Sequence, residues 1–201
     1  MIDYIETKDD VMRKSILEAA QQLFQEYGLN KTTMEDIAKK IGKAKSSLYY
    51  YYANKEEIFK EVVFKEKRDV ENDVNIAVEK ETTASGKLKA FAFARFRAIR
   101  KRKVLYKILS NEMQNNPCMI DNLRENYNRI EHDIISCIIL TGVETGEFNI
   151  DTKDLDIICY ILNSTLRGLE FDAMMSTQNK FGNSSEVIDK AIFLLLRALS
   201  R

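Results

Sequence analysis

Residues 33–55 read TMEDIAKKIGKAKSSLYYYYANK, the pattern of two short helices joined by a tight turn at Gly42. The second helix, predicted from Lys45 to Tyr51, contains Leu48 as its one obvious aliphatic core residue. A polar helix this short is unstable alone in water, because so few hydrogen bonds do not offset the cost of helix nucleation. Neighbouring helices must therefore hold it in place, and its outer face is left to meet a partner.

The charge of the chain is balanced overall but positive around this stretch. Lysine plus arginine and aspartate plus glutamate both number 31, so the net charge gives no general attraction to nucleic acid or membrane. Between residues 31 and 55, six lysines stand against two acidic residues, Glu35 and Asp36, a local excess of +4. Such a patch steers a polyanion to one place on the surface. The lysines are Lys31, Lys39, Lys40, Lys43, Lys45 and Lys55.

Cations, small hydroxyl groups and tyrosines cluster on and just before the second helix. DNA binding uses such groups on a short exposed helix, which can enter a major groove about 12 Å wide. The alternative is a solvated charged turn with packed aromatic rings, but four consecutive tyrosines spread around a helix and cannot all be buried. The stretch therefore predicts a DNA-reading helix-turn-helix. Its candidate contacts are Lys43, Lys45, Ser46, Ser47, Tyr49, Tyr50 and Tyr51, with Lys55 and the first amides of the next helix as a further phosphate site.

The composition favours an all-α fold. One proline and seven glycines in 201 residues suit long helices better than strands and hairpins. Capping residues and glycines predict about nine helices, the first ending at Gly28 and the sixth covering residues 104–113. Residues 82–86 are the best candidate for an internal boundary, which we interpret as a turn rather than a flexible linker.

The last two predicted helices, residues 155–175 and 187–199, are apolar on more than one side. A helix that is apolar on two sides is buried on two sides. One face can pack on the core of its own chain, and the other most simply meets a second copy in a two-fold interface. The predicted interface residues are Leu166, Leu169, Ala191, Leu194, Leu195 and Ala198.

Catalytic chemistry has little support in the sequence. His132 is the only histidine, so no Ser-His-Asp set or paired-histidine metal site can be assembled, and we interpret it as a partly exposed surface residue. Neither GxGxxG nor GxxxxGK followed by serine or threonine occurs, which removes the usual phosphate-binding loops. We therefore expect a protein that is not an enzyme and that needs no cofactor or metal.

The sequence favours a cytoplasmic location. Cys118, Cys137 and Cys159 are odd in number and widely spaced, as expected for reduced thiols in the cytosol. The N-terminus lacks the apolar run of a signal peptide. The longest apolar run, Ala191 to Leu196, is too short to span a bilayer, so we expect no membrane partner.

Residues 15–59 resemble the N-terminal domain of TetR-family transcriptional regulators. The matching elements are ILEAA…LF…GL, TTMEDIA, KxSLYYYY and NKEEI, in order and at the family's spacings. The resemblance implies that Thr33 and Lys55 contact phosphates at the groove edges and that Tyr52 packs inward. It further implies that the major groove or its backbone is contacted by Lys45, Ser47, Tyr49 and Tyr50.

The sequence departs from the family pattern around the turn. Lys43 stands where the family usually has an aliphatic residue, and Ala44 stands where it has a capping serine. Ser46 and Tyr51 replace glycine and histidine. Losing the cap costs about 1 kcal/mol of local helix stability. These changes bear on which operator is bound more than on DNA binding itself.

By the same resemblance, the helices after residue 55 enclose an effector pocket and the last two helices mediate dimerisation. Phenylalanine, methionine and tyrosine side chains suit an apolar or aromatic ligand, although each also suits a plain core position. Arg167 either anchors a ligand carboxylate or pairs with Glu170. The candidate pocket residues are Phe91, Phe96, Tyr106, Met113, Met119, Tyr127, Tyr160, Asn163 and Arg167.

A basic run ends the fifth predicted helix. It comprises Arg95, Arg97 and residues 100–103. We interpret this run as a solvated helix end, and an approach to DNA or to an anionic ligand is the alternative.

These expectations combine into one interpretation of the chain. Residues 1–54 are predicted to form a three-helix DNA-binding domain, and residues 55–201 a helical domain for effector binding and dimerisation. The expected function is a homodimeric regulator of transcription, a repressor that a small-molecule effector releases from a pseudo-palindromic DNA operator. The alternative is a helical adaptor that binds a different protein and contacts DNA only secondarily.

Overall fold

A computed structural model of the chain describes residues 7–102, 108, 117–175 and 184–200, which form eight α-helices and one 3-10 turn at Thr152–Asp154. Within these ranges no residue lies in a strand, and the all-α prediction is confirmed. The predicted sixth helix, residues 104–113, lies outside the described part of the chain. The helices are α1 (Lys8–Tyr27), α2 (Met34–Lys40), α3 (Lys45–Tyr51), α4 (Lys55–Glu79), α5 (Ala84–Lys101), α6 (Pro117–Glu144), α7 (Leu155–Met175) and α8 (Ser184–Leu199).

The chain forms two compact units that divide between Arg68 and Asp69, inside α4. The sequence had placed the division between residues 54 and 55, at the start of that helix. The beginning of α4 stays with the first unit because it supplies core residues there. Phe59 is fully buried, and its ring packs edge-on against Phe24 of α1 with the ring centroids 5.5 Å apart.

Local capping explains where the first two helices begin. The Asp10 amide donates to the Thr7 hydroxyl at 3.1 Å, and the Asp10 carboxylate accepts from the Thr7 amide at 3.0 Å. Thr33 and Asp36 repeat this reciprocal pair at the start of α2. Hydrogen bonds from the threonine hydroxyl and amide hold the pKa of each aspartate below its ordinary value. Gly28 ends α1 with a positive φ of 84°, so the predicted helix ends are confirmed.

The core of the second unit is built from the end of α4 and from α5, α6, α7 and α8. After α6, the Phe148 ring packs directly on Gly142. A Cβ atom at Gly142 would overlap the Phe148 ring, so only glycine fits there. The buried aliphatic and aromatic residues of this core include Leu88, Phe91, Phe96, Ile135, Ile139, Leu162, Leu166, Ile188 and Ile192.

Glu147 ties the connection after α6 to the start of α5. Its two carboxylate oxygens accept hydrogen bonds from the amides of Ala84 and Ser85, at 2.9 and 3.0 Å. These amides belong to the first turn of α5 and lack partners within the helix. The same two backbone hydrogen bonds lower the pKa of Glu147. Thr83 supplies the remaining cap by accepting from the Gly86 amide at 3.0 Å. Helix α5 therefore begins at Ala84, so the last three residues of the predicted turn at 82–86 are helical.

Among the described helices, none is both long and apolar enough to cross a membrane.

Candidate nucleic-acid interface

The turn between α2 and α3 is closed by main-chain hydrogen bonds. The Gly42 amide donates to the Lys39 carbonyl at 3.1 Å, and the Lys43 amide donates to the Ala38 carbonyl at 3.0 Å. Gly42 adopts a positive φ of 66°, which other residues rarely tolerate. Leu48 is fully buried and anchors α3 in the core of the first unit. The two helices are therefore held as one rigid motif.

The outer face of α3 is basic and aromatic. Lys43, Lys45 and Ser46 are exposed, and Ser47 is half-buried beside them. Tyr50 is 77% exposed, and the Lys45 ammonium lies 5.9 Å from the centre of the Tyr49 ring. The structure thus brings these six predicted contacts onto one exposed surface, which we call the reading surface: Lys43, Lys45, Ser46, Ser47, Tyr49 and Tyr50.

The helix that carries the reading surface begins without a side-chain cap. Ala44 occupies the N-cap position with extended backbone angles, φ −70° and ψ 148°, and its methyl group offers no hydrogen-bond acceptor. The extended geometry is the one in which a serine hydroxyl reaches the amides of the first helical turn. The predicted loss of the cap is confirmed.

Replacing Ala44 with serine is expected to stabilise the first unit by about 0.5–1 kcal/mol, because the backbone already has the N-cap geometry. Urea unfolding of the full chain, followed by far-UV circular dichroism, measures the change. Ala53→Ser is the matched control, since Ala53 is also exposed but lies outside any N-cap. Equal effects of the two substitutions would contradict the explanation.

Tyr51 faces α1 and is not part of the reading surface. Its hydroxyl donates to the Asp9 carboxylate at 2.9 Å, and this hydrogen bond raises the pKa of Tyr51. The Arg13 guanidinium lies 5.5 Å from the centre of the Tyr51 ring and 5.3 Å from that of Tyr52. Tyr52 is buried, as the resemblance implies. The DNA contact predicted for Tyr51 stays a prediction, and in the structure α1 supplies partners for its hydroxyl and ring.

Thr33 and Lys55 also have partners within the first unit. The Thr33 side chain is exposed, but its hydroxyl is engaged with Asp36 in the cap of α2. The Lys55 ammonium donates to three main-chain carbonyls in the connection between α1 and α2. Both residues lie at helix starts, and neither projects a free polar group as Lys43 and Lys45 do. The sequence could not indicate these partners, since main-chain carbonyls leave no trace in the residue pattern.

The candidate pocket residues of the second unit fall in different environments. Phe91 and Phe96 are buried in the core, and Asn163 is buried beside charged side chains. Tyr160 is 67% exposed, so it lies on the surface and not in an interior pocket. Arg167 is described below. Met119 and Tyr127 lie on α6, but their side chains are outside the described part of the structure. Tyr106 and Met113 lie outside the described residues altogether.

A buried network of charged groups lies between α5, α6 and α7. Arg95 is 1% exposed and donates from Nη2 to Glu170 at 2.8 Å, while its Nη1 lies 3.0 Å from Glu131. The same Nη1 donates to the Asn163 side-chain carbonyl at 3.1 Å. Arg167 donates to the second oxygen of Glu131 at 2.9 Å. Two guanidinium groups and two carboxylates therefore alternate in the order Glu170, Arg95, Glu131 and Arg167. We call these four residues the ionic network.

Arg167 pairs with Glu131, a partner that the sequence did not indicate. The prediction that Arg95 belongs to a solvated helix end was wrong, because Arg95 is buried. A signal for its burial was present in the sequence. Arg95 lies four residues after Phe91 and four before Ile99, on the apolar stripe of α5. That spacing places the guanidinium toward the core.

Burial raises the pKa of Glu170 to about 7, although the neighbouring Arg95 guanidinium opposes the shift. A carboxylate taken out of water loses hydration that one ion pair restores only in part. A pKa of about 7 places the titration of Glu170 close to neutral pH.

The outward faces of α7 and α8 differ from the predicted interface. Leu166 lies in the core of its own chain, so it is not on the surface. Leu169 and Leu195 pack against that core while half-buried, Ala191 is half-buried, and Leu194 and Ala198 are exposed. The exposed apolar residues of these two helices form a surface that we call the apolar face, and of its members the predicted interface included only Leu194. The apolar face comprises Ile157, Tyr160, Ile161, Phe171, Phe193 and Leu194.

His132 lies partly exposed between α6 and α7, as interpreted from the sequence. Its Nε2 lies 3.3 Å from the Asp156 carboxylate, and its Nδ1 lies 3.3 Å from the Ser136 hydroxyl. That hydroxyl lies 3.2 Å from the thiol of the buried Cys159, and burial raises the pKa of this thiol. No group of three metal-ligating side chains occurs in the part of the chain that the structure describes.

The first unit has the geometry of a helix-turn-helix DNA-binding domain. The short helix α3 is anchored by the buried Leu48, and the turn at Gly42 closes it onto α2. Its outer face presents cations, hydroxyl groups and aromatic rings. The second unit is a larger helical body. This arrangement defines the class of helical, DNA-binding transcriptional regulators.

Comparison with known proteins identifies the family that the N-terminal unit matches. Residues 16–62 match the family described as bacterial regulatory proteins, tetR family. The biofilm operon negative transcriptional regulator IcaR of Staphylococcus epidermidis is 46% identical over 52 residues, which are 26% of this chain and 28% of that relative. The transcriptional repressor KstR2 of Mycobacterium tuberculosis is 27% identical over 163 residues, 76% of each chain. The N-terminal unit therefore carries the DNA-binding domain of TetR-family regulators, and the resemblance stated from the sequence is confirmed.

The likeness extends over both units at the level of the fold. The crystal structure of a transcriptional regulator from Cytophaga hutchinsonii superposes with a TM-score of 0.76. It is 26% identical, and the match covers 96% of this chain and 100% of that chain. The structure of KstR2 superposes with a TM-score of 0.63 at 22% identity. An N-terminal helix-turn-helix followed by a helical domain is thus the architecture of the whole chain.

Proposed function

We propose that this transcriptional regulator is a homodimeric repressor, which binds a pseudo-palindromic operator through the reading surface of each protomer. The observation that carries the proposal is the exposed cluster of lysine, serine and tyrosine side chains on α3, a helix short enough to enter a major groove. Repression is supported by two relatives, since IcaR is described as a negative regulator and KstR2 as a repressor.

Dimerisation is proposed through the apolar face of α7 and α8. Leu194 is 55% exposed in the single chain, and the neighbouring Phe193 is similarly exposed. Gly168 lies on α7 between Ile161 and Phe171 and has open space where a Cβ would stand, which permits close approach of another helix. A face of this kind in contact with water favours association with a second copy.

Release by a small-molecule effector completes the proposal. The effector is proposed to bind in the second unit and to be apolar or aromatic, in keeping with the buried rings of Phe91 and Phe96. It would act by favouring a spacing of the two α3 helices that no longer fits half-sites about 34 Å apart or a multiple of that distance. α4 is the helix that contributes residues to both units and so carries this coupling.

Selection of bound fragments from random DNA by the purified full chain tests operator binding. An enriched, two-fold symmetric consensus is expected, and Lys45→Ala is expected to weaken binding to it. Failure to enrich any sequence, or enrichment of one asymmetric site, would count against a dimeric, sequence-specific regulator.

Light scattering of the full chain tests the dimer. Leu194→Glu places a charge in the apolar face and is expected to yield monomers, whereas Ile76→Glu is the matched control, because Ile76 is 54% exposed on α4. A wild-type chain that is monomeric would overturn the dimer and favour the alternative, a helical adaptor for a different protein.

A further inference from the structure

We infer that the groove between the end of α4 and the outer side of α5 binds an aliphatic carboxylate, whose chain lies along the groove and whose head group meets Arg97 and Lys101. The groove lies within the second unit, and neither the reading surface nor the apolar face contributes a residue to it. This site goes beyond the proposed function, because its occupancy can be measured without DNA.

The shape of the groove suits a small molecule. Its volume is about 480 Å³, within the range of small-molecule sites. Ala90, Ala94 and Ala98 line it from α5 and recur every four residues, so their methyl groups lie along one side of that helix. Ala77 and Ile76 line it from α4. Short side chains on facing helices leave the space between them open.

The apolar part of the groove is aliphatic. Among its lining residues in the described part of the chain, none has an aromatic ring on which a planar ligand could stack. Ile76 is 54% exposed, whereas Ala94 and Ala98 are buried at the base of the groove. An aliphatic chain laid over these methyl groups shields Ile76 from water, and the burial of both apolar surfaces favours binding.

Two cations border this apolar surface on α5. Arg97 and Lys101 are exposed and stand four residues apart, a spacing at which like charges on a helix repel each other. Within the described ranges, neither side chain forms an ion pair with a carboxylate of the protein. A ligand carboxylate that lies between the two cations relieves the repulsion and accepts charge-assisted hydrogen bonds from both.

The two carboxylates that line the groove already have cations nearby. The Asp73 carboxylate lies 3.9 Å from Nη1 of Arg102. Glu81 neighbours Lys80, and its Oε2 lies against Gly86 in the first turn of α5, where the helix dipole favours a negative charge. The positive charge without a carboxylate partner is therefore that of the α5 pair, which is where the head group of the ligand is placed.

Isothermal titration calorimetry of the full chain with dodecanoate, below the concentration at which it forms micelles, tests the site. Saturable binding is expected, and its affinity should fall as the salt concentration rises. Dodecyltrimethylammonium has the same chain with a cationic head group and should not bind. Absence of dodecanoate binding, or equal binding of the cationic amphiphile, would overturn the inference.

The double variant Arg97→Gln, Lys101→Gln locates the head group. It is expected to weaken dodecanoate binding by about fivefold to thirtyfold, since it removes two exposed ion pairs. The matched control is Arg100→Gln, Lys153→Gln, which removes one arginine and one lysine from exposed positions outside the groove and should leave the affinity unchanged. An equal affinity in the two double variants would place the probe elsewhere on the protein and refute this site.

Ala90→Leu tests the placement of the chain while it keeps both cations. The added side chain occupies the groove, so dodecanoate affinity is expected to fall by about tenfold. Far-UV circular dichroism establishes that the variant is folded. Ile76→Ser provides a second test from α4, because this exposed side chain lies outside the core, and a loss of about fivefold is expected. Full affinity in the folded variants would show that attraction to surface charge, rather than the groove, holds the probe.

Discussion

Replacing Arg95 with methionine is expected to destabilise the second unit by about 3–5 kcal/mol, the range found when one partner of a buried ion pair is removed. Methionine restores much of the volume, so the cost comes from charge rather than from a cavity. Glu170 loses the guanidinium that lies 2.8 Å from its carboxylate, and Glu131 keeps its pair with Arg167. Urea unfolding followed by far-UV circular dichroism measures the free energy of unfolding.

The matched control is Arg97→Met, because Arg97 lies on the same helix but is exposed. Its effect is expected to stay within about 0.5 kcal/mol. The double variant Arg95→Met, Glu170→Met removes both charges and is expected to be more stable than the single Arg95 variant. A single variant as stable as Arg97→Met would show that the ionic network contributes little.

The cost of Arg95→Met should depend on pH through Glu170. The pKa of Glu170 is raised from 4.5 to about 7 in the folded protein, so between these values the folded chain binds the proton and the unfolded chain does not. Stability from this group therefore falls as pH rises from about 4.5 to 7. Loss of Arg95 removes the group that opposes the shift and raises the pKa further. The destabilisation should be smaller near pH 5, where Glu170 is neutral in both proteins, than near pH 8.

Replacing both Lys43 and Lys45 with alanine is expected to lower operator affinity by about tenfold to a hundredfold near physiological salt. Both side chains are exposed on the reading surface, and each is expected to neutralise one phosphate. The slope of log affinity against log salt should therefore fall by about 1.8. Fluorescence anisotropy with the selected operator, measured over a series of salt concentrations, provides both quantities.

The matched control removes the same charge elsewhere. Lys80 and Lys101 are exposed in the second unit, and the double substitution of these residues with alanine should leave the slope unchanged. Light scattering should find both double variants in the same oligomeric state as the wild type. If the control weakens binding as much as the reading-surface variant, the attraction belongs to the whole surface rather than to α3.

Helix limits in the first unit could be predicted because their signals are local. The third helix runs from Lys45 to Tyr51 in the structure, as the sequence predicts, since Gly42 and the residues around it determine where helices stop and start. The capping pair of Thr33 and Asp36 is equally local, since its members are three residues apart. The outward position of Tyr49 and Tyr50 was implied by the family resemblance, because the helical period shows only that the four tyrosines cannot all be buried.

Side-chain partners could not be predicted where they come from distant parts of the chain. Tyr51 meets Asp9 across 42 residues, and Arg95 meets Glu170 across 75. The periodicity of α7 shows that the helix is apolar on several sides, but it does not indicate which side packs on the core of the second unit. Leu166 was placed on the outer surface for that reason, and packing against the other helices decided otherwise.

The ionic network also restricts how this chain can diverge. A change at Arg95 alone leaves a buried carboxylate without its partner, and a change at Glu170 alone leaves a buried guanidinium with less compensation. Each single step toward an apolar interior therefore passes through a destabilised intermediate, although the finished replacement of both groups can be as stable as the original. We expect descendants of this protein to keep the alternating charges together or to lose them together, so that these positions change as a set.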